Sequence, residues 1–340
     1  MRRHLATIVK VAITVAGIAF VVSQVDLATV GRLLLDAHLG WLLVTFFLVN
    51  LSLVIRAYRW SLLLRGLDVE IPFRRLVALY FVGNFFNAFL PTSFGGDVMR
   101  VVEVTRDVPA GIAAGTVILD RLTGLLMLFV IALLALPFRP ATFPPDLLWL
   151  IAAVSIAGLA GGAILLEGSL IRRFGGWLPA KLSPAGEGPI ARILQAVTAT
   201  GWRAVAGAML VSLLFNLVLT TWWWTGGKAL GFDIPFTFFL LVVPILSISL
   251  LVPAIGGFGP REAVATLLFD GTVVTQGATA LAGGTGFALS ALVYLLQRLS
   301  GLGGGLIYLW MALSGERAGS AHSETEDLEG EQKGTVKDGK

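Results

Sequence analysis

Runs of about 20 apolar residues recur along most of this sequence, and wound as a helix such a run spans the hydrocarbon core of a bilayer. Candidates lie at 5–24, 39–55, 74–90, 110–137, 147–166, 204–225, 236–253, 278–297 and 299–313. Hydrophobic residues make up 56% of the 340 and charged residues only 14%, too few to clothe a water-soluble globule. The fold class that follows is an all-α, polytopic membrane helix bundle. The last run is short and holds Gly301, Gly303, Gly304 and Gly305. It either continues its predecessor as one bent unit or packs closely through its small residues. The beginning, Met1-Arg2-Arg3-His4 before an apolar run to Val22, resembles a signal peptide, but Lys10 interrupts it and no convincing cleavage site follows. It reads as a retained first helix.

Cationic residues in the connecting segments set the orientation. Segment 56–75 carries Arg56, Arg59, Arg65, Arg74 and Arg75, and segment 167–203 carries Arg172, Arg173, Lys181, Arg192 and Arg203. Both are expected in the cytoplasm. Segments 25–38, 138–146 and 226–235 hold only Arg32, Arg139 and Lys228 as fixed cations, which suits the outer face. The amino terminus is then cytoplasmic, in a multi-pass protein of the cell (plasma) membrane. The net charge of +4 is dispersed through these loops, which points to the bilayer and its anionic lipid as partners and away from nucleic acid. With no cysteine, disulfides and thiolate chemistry are excluded. His4, His38 and His322 stand apart from one another and from carboxylate clusters, so neither a metal site nor a cofactor is expected.

The stretch Leu178 to Pro189 breaks any helix and divides the transmembrane region, 1–313, into halves of about 1–180 and 190–313. Beyond Leu313 the composition turns polar and acidic, and a disordered tail is expected over 314–340. No polar segment has the size of an independent catalytic domain. Any chemistry belongs to the bundle.

Two short glycine-rich segments interrupt the apolar pattern: Pro91-Thr-Ser-Phe-Gly95-Gly96-Asp97-Val-Met-Arg100 and Pro253-Ala-Ile-Gly256-Gly257-Phe-Gly259-Pro260-Arg261-Glu262. Broken or re-entrant backbone beside a membrane core is tolerated only inside protein or along a watery cavity, and breaks in corresponding places of two halves point to a binding site in an inverted repeat. In the first, a new helix is expected near the double glycine, with Asp97, Arg100, Glu103 and Arg106 forming a ladder at spacings of three. Two readings of Arg100 stand side by side: a guanidinium near a helix start that grips an anion, or a rung of a solvated face with Asp97 as a cap. Glu103 and Arg106 belong to the plainer one. Asn84 and Asn87, three apart on the approaching helix, either wall a polar cavity or hydrogen-bond between helices.

Asp120 and Arg121 lie about 15 Å deep if their helix begins near Pro109, and are interfacial anchors if it begins at Leu122. The deep position is favoured. In the second break Pro260 suits a first helical turn, followed by Arg261 and Glu262 on a helix running to Phe269; an ordinary outer loop with a capped helix is the alternative. Arg298 is expected to snorkel to the inner interface. Trp222-Trp223-Trp224 reads as an interfacial aromatic belt.

The string Arg56-Ala-Tyr58-Arg59-Trp60…Gly66, with Asn84-Phe-Phe-Asn87…Pro91…Gly95-Gly96-Asp97-Val-Met-Arg100, Asp120-Arg121 and the second glycine-rich segment, resembles the flippase-like transmembrane family. This is the family whose membrane region precedes the catalytic domain of lysylphosphatidylglycerol synthase. The likeness spans roughly 5–313. It implies a role in moving or handling lipids, including aminoacylated phospholipids and polyprenyl-linked sugars. The synthase's aminoacyl-tRNA-dependent transferase domain is missing, so that activity does not carry over, and Asp97 stands where relatives often carry Glu. By motif position the implied site residues are Arg100, Arg121, Arg261 and Glu262.

Together these features predict a lipid transporter rather than an enzyme. An anionic headgroup, phospholipid or polyprenyl phosphate, is held between the two broken segments. Its substrate-binding set comprises Arg100, Arg121, Arg261, Glu262, Asp97, Gly95, Gly96, Gly256, Gly257, Asn84 and Asn87. The alternatives are a membrane-embedded lipid-modifying enzyme using Asp97 or Glu262 as a base, and an accessory subunit of a separate lipid synthase or glycosyltransferase.

Overall fold

The computed structural model describes residues 36–87, 95–139, 145–167, 189–249, 260–269 and 285–313. All regular structure among them is helical: α1 (Leu39–Arg65), α2 (Phe73–Asn87), α3 (Gly95–Val104), α4 (Ala110–Ala135), α5 (Pro145–Glu167), α6 (Pro189–Ala199), α7 (Trp202–Ala229), α8 (Phe236–Ser249), α9 (Pro260–Phe269) and α10 (Thr285–Leu313). Five stretches are long and apolar enough to cross a bilayer, namely α1, α4 with the 3₁₀ turn that follows it, most of α5, α7 and most of α10; α8 is a shorter apolar helix. Helices keep every backbone polar group of a span paired without water, which a lipid-facing strand or loop cannot do. The expected helix over 5–24, the glycines 256 and 257, the side chain of Glu262 and the tail over 314–340 lie outside the described residues.

Helix α1 continues past Ile55 to Arg65, taking Arg56 and Arg59 out of the cytoplasmic loop expected for 56–75. The reason is local: Ala57, Trp60 and Leu64 recur at helical spacing, and all three are buried. Helix α6 also replaces part of an expected loop. Its Ala191, Leu194 and Val197 are buried, and a Cβ added at Gly115 of α4 would sit 2.6 Å from the Ala196 methyl. From Thr285 on, the two final apolar runs form one helix, α10. It also packs through its glycines: a Cβ at Gly304 would fall 1.9 Å from the Phe81 carbonyl oxygen of α2.

Helices α1 and α7 lie antiparallel along much of their length. At one end the His38 N–H donates to the Ala229 carbonyl at 2.9 Å, within the span the Thr45 hydroxyl donates to Thr225 Oγ1 at 2.8 Å, and at the other end Gly66 abuts Thr200 and Ala204. Lipid is as apolar as leucine, so close packing and interhelical hydrogen bonds of this kind hold the helices together.

The two largest apolar clusters among the described residues fill much of the bundle. One joins Leu53 and Trp60 of α1, Tyr80 and Phe85 of α2, Val104, Val117 and Tyr308. The other joins Trp222 and Trp223 with Phe238, Phe239 and Leu246 of α8, Phe269 and Val293. Trp222 and Trp223 are therefore core residues rather than a membrane-surface belt. Helix α7 runs on beyond them to Ala229, and α8 packs its Phe238, Phe239 and Leu246 into the same cluster.

A candidate anion site between the helices

Helix α3 includes the double glycine, with Gly95 and Gly96 as its first described residues. Gly96 is needed for close approach, because a Cβ there would lie 2.1 Å from the Gly83 carbonyl oxygen of α2. The Asn87 side-chain oxygen accepts from the Gly96 N–H at 2.7 Å, pairing one of the amides that a helix start leaves open. Set this way, α3 turns its charges inward: Asp97 is 8% exposed, Arg100 and Glu103 2% each. The solvated-ladder alternative is overturned. Arg106 is half-exposed and reaches back to Glu103 at 3.5 Å.

Helix α4 begins at Ala110 after Pro109, which places Asp120 about 15 Å along it. Asp120 is fully buried. Its Oδ1 accepts from Arg59 Nε at 2.7 Å. Its Oδ2 accepts from Arg100 Nη1 and Nη2 at 3.2 Å and from the Tyr80 hydroxyl. Arg59 Nη1 also donates to Ser212 Oγ at 3.1 Å, and Arg100 lies over the Trp60 and Tyr80 rings at 4.2 and 3.8 Å. Side chains of α1, α2, α3 and α4 thus converge on one carboxylate. The guanidinium of Arg59 fits because Gly124 has no side chain; a Cβ there would lie 2.6 Å from Nη1. Asn216 of α7 donates to the Gly124 carbonyl at 3.1 Å.

Above this buried tier opens a cavity of about 740 Å³. On one wall Asp97 accepts from Arg121 Nε and from Arg100 Nη1 at 3.2 Å. On another, Arg261 donates from Nε to Ser290 Oγ at 3.1 Å, from Nη1 to Gln297 Oε1 at 3.0 Å, and from Nη2 to the Ser290 carbonyl at 3.4 Å. Asn84 lines the cavity and also donates across helices to the Gln297 carbonyl at 3.4 Å, so both of its expected roles hold at once. Arg56 lines the cavity with its guanidinium 4.9 Å from the Tyr80 ring and 5.6 Å from the Phe215 ring. Arg298 does not snorkel. It is 7% exposed, lines the same cavity and lies 4.1 Å over the Tyr294 ring, because α10 carries it inside the bundle.

Of the residues singled out in the sequence, Asp97, Arg121, Asn84, Asn87 and Arg261 meet around this one cavity. Arg100 stands behind its wall in the buried tier. Gly95 and Gly96 shape the start of α3 without lining the space. Arg56, Arg59, Tyr80 and Gln297 were not anticipated. The available signal was the pair Arg56 and Arg59 at helical spacing, running into the apolar Trp60.

Chemically the cavity offers guanidinium groups against apolar walls. Val98, Val102 and Ile118 line it and are 56%, 49% and 40% exposed, which makes an aliphatic rim on α3 and α4. Guanidinium groups suit phosphate and carboxylate ligands. Among the described residues no His, Asp and Glu cluster could hold a metal ion.

Residues 7–297 match the family model described as the lysylphosphatidylglycerol synthase TM region. Among curated proteins, the chain is similar to a UPF0104 membrane protein of Pyrococcus horikoshii, 26% identical over 108 residues. That alignment covers 31% of this chain and 32% of the archaeal protein, so the chain matches about a third of that relative's length. The family match takes in the buried charge cluster and all of the cavity wall up to Gln297. The protein is a multi-pass membrane protein, and it belongs to the lysylphosphatidylglycerol synthase transmembrane-region family.

Proposed function

We propose that this protein carries lipids with an anionic headgroup, phospholipid or polyprenyl phosphate, between the leaflets of the cell membrane. One observation carries the reading: a cavity of about 740 Å³ in a membrane bundle is lined by Arg56, Arg59, Arg121, Arg261 and Arg298, with an aliphatic rim at Val98, Val102 and Ile118. Charge at membrane depth marks a substrate path more often than a structural accident. The head occupies the arginine-lined space while the acyl or prenyl chains pass the rim and stay in the bilayer. Asp97 balances the cations in the unloaded state. Exposure alternates by rocking of one half against the other. The end of the bundle carrying Arg65, Arg74, Arg75, Arg192 and Arg203 faces the cytoplasm, as does the amino terminus. A separate lipid synthase or glycosyltransferase is the kind of partner that would supply or consume such a cargo.

The test is translocation of fluorescent phosphatidylglycerol and phosphatidic acid in proteoliposomes. Faster leaflet exchange than in protein-free vesicles is expected, with Arg261→Gln slowing it. No acceleration with any anionic lipid sinks the transport reading. Recovery of a chemically altered lipid would replace it by catalysis.

A further inference from the structure

Resting on the headgroup reading above, we propose that Arg56 is the residue that grips the phosphate. Arg59 and Arg100 are spoken for by Asp120, and Arg121 and Arg100 by Asp97. Arg56 differs. Among the described residues its contacts are the two ring faces of Tyr80 and Phe215, and neither a hydrogen bond nor an ion pair engages its five N–H donors. The rings hold the cation without consuming those donors, since the attraction comes from the quadrupole and leaves the in-plane N–H groups open. Arg56 also lines the cavity directly. A planar fork, fixed in place and open along its edge, matches two oxygens of a phosphate.

Position supports the assignment. Arg56 is one turn from Arg59 on α1, so the Arg59–Asp120 bond, at 2.7 Å, anchors the helix face that presents it. Tyr80 touches both tiers: its hydroxyl donates to Asp120 while its ring carries Arg56. The buried tier is therefore a mount for an open guanidinium, and the chemical class it selects is a phosphate ester at the end of an apolar chain.

Binding of dodecyl phosphate to the purified full chain in maltoside micelles tests this, with inorganic phosphate and dodecyl trimethylammonium in parallel arms. Wild type is expected to bind dodecyl phosphate. Arg56→Gln is expected to weaken it about 10- to 100-fold, the range for losing a charge-assisted pair of hydrogen bonds. Arg56→Lys, which keeps the charge and loses the fork, is expected to recover part of that affinity, and serves if the glutamine variant misfolds. Inorganic phosphate competing as strongly as the amphiphile would overturn the ester class in favour of free phosphate. Equal binding by wild type, Arg56→Gln and Arg56→Lys would overturn the Arg56 assignment and leave the headgroup reading standing. Failure of wild type to bind any phosphate amphiphile would overturn both.

Discussion

The buried tier around Asp120 and the cavity tier around Asp97 are built from the same residue types and behave as opposites. Below, Arg59 and Arg100 close on a carboxylate that is fully buried, with the Tyr80 hydroxyl completing its shell. Above, Asp97 takes Arg121 and shares Arg100, while Arg56 meets only ring faces among the described residues. A charge removed from water is costly unless paired and hydrogen-bonded. Charges that meet this condition inside the bundle hold helices in register; a charge left open beside a cavity is free to meet a ligand.

Breaking the lower tier should have the largest effect. Asp120→Asn leaves Arg59 and Arg100 buried against a neutral amide, and removal of one partner from such a cluster costs about 3–5 kcal/mol. Loss of the monodisperse peak in detergent, or a large fall in melting temperature, is the expected result. A variant as stable as wild type would erase the distinction between the tiers. Next is Gly124→Ala, whose methyl would need the space of Arg59 Nη1; overpacking of this kind costs about 1–3 kcal/mol, readable in thermal scans. Arg121→Gln sharpens the comparison from the other side. Its side chain is 31% exposed and Asp97 keeps Arg100 as a partner, so stability should fall less than for Asp120→Asn, by about 1–3 kcal/mol, while retention of anionic lipid, read by native mass spectrometry, should fall about tenfold.

The smallest effect is expected far from both tiers. Between α7 and α8, Lys228 donates to Asp233 at 2.6 Å, and this bond holds the Asp233 carboxyl below its ordinary range. The folded-state value is the lower one, so the contribution is present above the ordinary carboxylate range and is lost as the pH falls below that range, through the folded-state value. Asp233→Asn should leave the melting temperature at neutral pH almost unchanged and slightly flatten its fall in acid.

The spans were legible because a helix in lipid must be apolar for about 20 residues, and helical structure over Gly95–Val104 and Pro260–Phe269 accords with the backbone chemistry of those segments. What misled was charge. Arg56 and Arg59 sit within ten residues of the end of α1, where a cation reads as a loop or an interface anchor. Their burial depends on Asp120, 61 positions away from Arg59 in sequence, and on the Tyr80 and Phe215 rings. Arg298 was misplaced for the same reason: snorkelling is the fate of a lone helix, and α10 is not alone. Trp222 and Trp223 carry an aromatic-belt pattern that only the packing of α8 overrides. For the site, position along a helix was readable and direction was not. Asp97 and Arg121 were singled out, but their pairing requires α3 and α4 to be seen side by side.

The most direct test is a cryo-EM structure of the full chain in nanodiscs of phosphatidylglycerol and phosphatidylethanolamine. The expected map has a phosphate within hydrogen-bond distance of Arg56, with acyl density leaving past Val98 and Ile118. A cavity closed by protein side chains, with lipid confined to the outer surface of the bundle, would contradict the account.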